Sequence, residues 1–241
     1  VYWLEALMIP YRDTVPCHYT PWITWILILG NFAVFAFTEW LPEGALNQFL
    51  YLHGLVPARY AYPEWAAQVG FPQNDYSPFI TSIFLHGGWL HIVMNLWLLW
   101  IFGDNVEDRM GGFRFLAFYL TCGILGGLLH VAANPQSNIP TIGASGAIAG
   151  IMGAYFFLFP YARIIIWVFF LPLFIKVPAI AFLGIWVMIQ LYQATTGLSS
   201  GDPSAQVAWW GHLGGFIAGM LLHPLFLLSD RKGDPSLSFR V

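Results

Sequence analysis

"TIGASGAIAGIMGAYFFLFP", positions 141–160, is an apolar run long enough for a membrane helix, and it opens on small residues. Ser145 sits among Gly143, Ala144, Gly146 and Ala147. Small residues at that density let a second helix approach closely. Alone, the run reads as a packing patch. A polar partner elsewhere in the chain would turn it into a presented hydroxyl.

The composition places this run in a membrane. The 241 residues are 58% hydrophobic and 9% charged, whereas soluble domains carry about 25% charged residues. The apolar excess therefore faces lipid. A net charge of −3 leaves no nucleic-acid footprint. Cys17 and Cys122 form no metal-binding or disulfide pattern. No signal peptide is evident, and Met8 is a candidate natural start.

Six runs approach the roughly 20 apolar residues a spanning helix needs: 21–38, 87–103, 113–132, 141–160, 177–197 and 205–228. The run 164–175, "IIIWVFFLPLFI", is too short to span and reads as an interfacial connection. The fold expected is an all-α membrane protein, a six-helix bundle with a large outer loop, 39–83, between the first two helices. Residues 1–20 read as an N-terminal segment, 21–228 as the bundle and 229–241 as a tail. With six spans, Arg12, Arg109, Arg114, Arg163, Lys176, Arg231, Lys232 and Arg240 share one side, and only Arg59 lies on the other. That bias puts both termini in the cytoplasm. Short interfacial helices are expected in the outer loop.

Ionisable groups at membrane depth are costly and usually functional. His91 and Asn95 fall in the outer half of the second span, Ser145 at the outer end of the fourth, and His212 in the outer half of the sixth. His91 and Asn95 are four apart, so they share one helix face. Ser145 with His212 pairs a nucleophile with a general base. His91, Asn95 and backbone N–H groups at a helix start are suited to an oxyanion. Gly146 and Gly150 on the fourth span, and Gly211, Gly215 and Gly219 on the sixth, are small-residue ridges that would bring the two helices together. No carboxylate lies in either span, so the pair is expected to work without one. His130 and His223 fall outside the cluster, His86 reads as a group near the site mouth, and Glu107 with Arg109 reads as a structural anchor.

"HIVMN" in the second span, "GASGA" at the fourth and "GHLGGFIAG" in the sixth together resemble the rhomboid intramembrane serine proteases. "IPYRD" near the start and "VEDRMGG" after the second span extend the likeness. The resemblance implies a Ser145–His212 dyad and an oxyanion hole of His91, Asn95 and the Ser145 N–H. It implies cleavage of transmembrane protein substrates near a small residue, close to the outer membrane face. The family often has a tyrosine one turn after the serine. Here that position is Ala149, which leaves the packing partner of His212 open.

Other readings have less support. A transporter would show repeats and a midplane site. A zinc metalloprotease would carry HExxH, which is absent. A haem or metal protein would have to draw on His86, His91, His130 and His212. The alternative within the family is an inactive, client-binding rhomboid-like protein, but such a protein would lack the serine or the histidine. No cofactor or metal is expected. The lipid bilayer is the expected environment, with a bacterial inner membrane favoured. Oligomeric state is left open.

Overall fold

The computed structural model describes residues 8–168, 173–200 and 209–229. Strand β1 (Met8–Arg12) precedes helix α1 (Trp22–Glu39). The region 39–83 folds into short helices: α2 (Glu43–His53), α3 (Pro57–Ala61), α4 (Pro63–Gln68) and α5 (Pro78–Thr81). Proline opens α3, α4 and α5, where its missing N–H leaves no bond unmade. Arg59, only 4% exposed, ties this region together by donating to Asp75 at 2.7 Å and to the carbonyls of Leu52 and Pro72.

Helices α6 (Trp89–Met110) and α7 (Gly112–Ala133) meet at Gly111, whose φ of 75° suits glycine. Next come α8 (Ser145–Leu158), strands β2 (Arg163–Val168) and β3 (Leu173–Pro178), α9 (Ala179–Ser200) and α10 (Trp209–Phe226). Among the described residues, α1, α7 and residues Ala179–Thr196 of α9 are long and apolar enough to cross a membrane. A fourth candidate is Pro78–Phe84 with Trp89–Met110, bent by 96°. The run 141–160 is helical only from Ser145 to Leu158. Those 14 residues span about 21 Å at 1.5 Å each. Residues 147–155 are all buried, so α8 is the core against which longer helices pack.

The all-α expectation needs correction. The described residues of the run 164–175 are extended rather than irregular. Residues 164–168 and 173–175 belong to the paired antiparallel strands β2 and β3, and β1 adds to them in the order β1-β2-β3. Ile164, Ile165, Ile166, Trp167 and Val168 are β-branched or aromatic residues that favour a pleated surface. Pro172 and Pro178 bar a continuous helix. Periodicity cannot separate a short buried strand from a short buried helix, and the pairing partner lies more than 150 residues upstream. Pro10 fits β1 because an edge strand can lack a ladder donor. Trp97 Nε1 on α6 donates to the Pro10 carbonyl at 2.6 Å, and Ala179 N donates to Ala162 O at 2.7 Å. The sheet is therefore stitched to α6 on one side and runs straight into α9 on the other.

The tail beyond Ser229, with Arg231, Lys232 and Arg240, lies outside the described residues, as do residues 1–7 and 201–208.

Candidate active site

The site begins with the loop that launches α8. Thr141 and Leu55 exchange backbone hydrogen bonds at 2.8 and 2.9 Å, and Gly143 N donates to Ser82 O at 2.9 Å. Gly143 has φ 126°, and a Cβ there would stand 2.7 Å from His91 Nε2. Glycine is needed at this position both for its backbone conformation and for the space it leaves. Held in this way, the chain enters α8 at Ser145.

Bare backbone then sets the distance to α10. A Cβ on Gly215 would strike the carbonyl of Gly146, and one on Gly219 the carbonyl of Gly150. The Gly211 carbonyl lies over Gly126 of α7 and 3.4 Å from where a Gly146 Cβ would be. A Cβ on Gly150 would in turn meet Cys122. Close helix approach of this kind is what small residues permit. The next residue after Gly211 is His212, whose Nε2 stands 2.7 Å from Ser145 Oγ.

His91 lies across Gly143 from Ser145, and its Nδ1 accepts from Gly87 N at 3.4 Å. Asn95, 6% exposed, donates one amide N–H to the His91 carbonyl at 2.8 Å. A primary amide has two N–H groups, so one remains for another acceptor. His86 is buried at 3% exposure, with its ring 5.1 Å from that of His91. His130 lies nearer than its sequence position suggests. It bonds Thr141 Oγ1 at 2.7 Å and Asn134 Nδ2 at 3.3 Å. It also lines, with Ser82, Gly143, Ser145 and His212, a cavity of about 40 Å³. That volume holds a water molecule. His223 instead accepts no role near the serine; it contacts the Met220 carbonyl and stacks on Phe157.

Three residues around His212 escape a search for ionisable groups. Gln190 of α9, 1% exposed, places Oε1 2.7 Å from His212 Nδ1. Trp186 and Trp209 flank the imidazole with ring centres at 6.1 and 5.8 Å. Ala149 is fully buried, and the ring packing on His212 comes from these two tryptophans. The available signal was an amide in an apolar helix, four residues after Trp186 and so on the same face.

Farther along α6, carboxylates bond to backbone. Glu107 accepts from Ile23 N, Thr24 N and Thr24 Oγ1 at 2.8–3.0 Å, satisfying donors at the start of α1. Asp108 accepts from His18 N and Tyr19 N, both at 2.9 Å. Arg109 lies over the Phe159 ring at 5.9 Å. Among the described residues, no group of three His, Cys, Asp or Glu side chains is placed to hold a metal ion.

The Rhomboid domain family model matches residues 73–229, which include all of these site residues. The chain belongs to the rhomboid family. It is 30% identical over 146 residues to the mitochondrial Rhomboid protein 1 of Saccharomyces cerevisiae, covering 59% of this chain and 39% of that protein. It is 24% identical over 242 aligned positions to RHOMBOID-like protein 5 of Arabidopsis thaliana, covering 92% of this chain and 73% of the relative. It is 32% identical over 119 residues to the putative rhomboid protease YdcA of Bacillus subtilis, covering 47% and 59%. The chain thus spans well under two thirds of the yeast relative's length. Rhomboid proteins are integral to membranes, in keeping with the apolar helices described above.

Proposed function

We propose that this rhomboid is an intramembrane serine endopeptidase that cleaves transmembrane protein substrates near a small residue, close to the outer membrane face. The observation that carries the proposal is the 2.7 Å contact between Ser145 Oγ and His212 Nε2. In this reading α1, α6, α7, α8, α9 and α10 are six spans with both termini cytoplasmic. Residues 21–228 form the catalytic unit, and a bacterial inner membrane is the favoured location.

The chemistry follows from the groups present. His212 Nε2 takes the proton of Ser145 as Oγ attacks the scissile carbonyl. The developing oxyanion is received by the Ser145 N–H at the α8 N-terminus, the His91 ring and the free amide N–H of Asn95. His212 then protonates the leaving amine. A water, for which the cavity beside Ser145 has room, releases the acyl-enzyme. A substrate helix must unwind locally to reach the serine, so Gly or Pro near its scissile bond should favour cleavage.

The test is cleavage of a tagged transmembrane substrate in liposomes, with products identified by mass spectrometry. Wild type should cut at one bond, while Ser145→Ala and His212→Ala should each fall by about a thousand-fold or more. Equal cleavage by Ser145→Ala would overturn the nucleophile assignment. Failure of folded wild type on a panel of such substrates would favour the inactive, client-binding reading.

A further inference from the structure

A base that takes the Ser145 proton needs a lone pair on Nε2. The neutral imidazole must then carry its proton on Nδ1. With an apolar helix packed against the ring, that proton needs an acceptor, because a buried unpaired donor is costly. Gln190 Oε1 is 2.7 Å from Nδ1 and is itself only 1% exposed. The same face of α9 carries Trp186 against the ring, and Trp209 closes the other side.

From this geometry we infer that Gln190 is the positioning residue of the site, fixing the Nδ1–H tautomer and the orientation of His212. The inference rests on the serine–histidine reading and deepens it. Soluble serine hydrolases give this task to a carboxylate. An amide oxygen does the same orienting work without a buried charge, which would need its own partners to be tolerated at this depth. It also leaves the imidazolium without a counter-charge, so orientation rather than charge stabilisation is what Gln190 contributes. Rotated about its terminal bond, the amide would present N–H to Nδ1 and select the opposite tautomer, leaving Nε2 unable to act as base. The assignment of Oε1 to Nδ1 is thus itself open to measurement.

Two readouts test it in the full chain in liposomes. The first uses ¹⁵N-histidine-labelled wild type. The His212 signals, assigned through His212→Ala, should show a protonated Nδ1 and an unprotonated Nε2. A dominant Nε2–H tautomer would overturn the proposal, and that result needs no variant to fold. The second is kinetic, with a tagged transmembrane substrate. Gln190→Met, which keeps the volume and removes the acceptor, should lower kcat by about ten- to a hundred-fold with KM unchanged. Gln190→Glu, which restores an acceptor of the same reach, should recover most of that loss. A Gln190→Met enzyme as fast as wild type, with unchanged His212 signals, would remove Gln190 from the mechanism and leave the dyad intact. Undiminished cleavage by Ser145→Ala would instead remove the dyad, and Gln190's role with it.

Discussion

The two ends of α6 solve the same problem in opposite ways. Near His91 and Asn95, Ser145 meets His212 beside a small cavity, and the helices around them touch through glycine backbone. Near Glu107 and Asp108, buried carboxylates are consumed by backbone N–H groups of the segment entering α1. At the first end polar groups are left with capacity to react, while at the second the carboxylate bonds serve the fold. Burial of polar groups therefore does not by itself mark a site; what separates the two ends is whether the bonding capacity is spent locally.

That contrast can be broken first where backbone meets backbone. Gly219→Ala places a methyl into the Gly150 carbonyl, which has no side chain to swing away. It should cost about 3 kcal/mol, the upper end for overpacking, and lower Tm in detergent together with activity. An unchanged Tm would mean that α8 and α10 separate without loss.

Glu107→Ala should come next, at about 2 kcal/mol, because it leaves buried donors of Ile23 and Thr24 unpaired. Its signature should be faster amide exchange at the start of α1 with the residual folded enzyme still cleaving. Loss of turnover without loss of stability would move Glu107 from anchor to mechanism.

A third test, read as a slope with pH rather than as a loss of fold or activity, sharpens the picture beside the sheet. Burial pushes the Asp13 carboxyl from 3.8 up to about 7, against the opposing hydrogen bond from Tyr155, with nearby Asp104 adding to the rise. Between pH 4 and 7 the folded chain then holds more protons than the unfolded one, so stability falls as pH rises through that window and levels off above it. Asp13→Asn should flatten the dependence of Tm on pH. A slope that persists in the variant would assign the titration to another group.

The membrane class, the approximate helix ranges and the four polar positions were legible because each is written locally. Apolar length marks a helix, a lone polar residue at depth marks a site, and glycines four apart mark a ridge. The sheet was not legible, since β2 pairs with Met8–Arg12 across most of the chain. Nor was the nearness of His130, which depends on how α7 ends against Thr141.

The sequence alone determined that this chain belongs in lipid and that a serine and a histidine lie on small-residue helices, because hydropathy, spacing and residue type are properties of short windows. Only the tertiary structure decided that Ser145 meets His212 at 2.7 Å, that Gln190 and two tryptophans hold the ring, and that a sheet joins α6 to α9. Each of those depends on which distant helix fills the space beside a given side chain, and no local pattern encodes that choice.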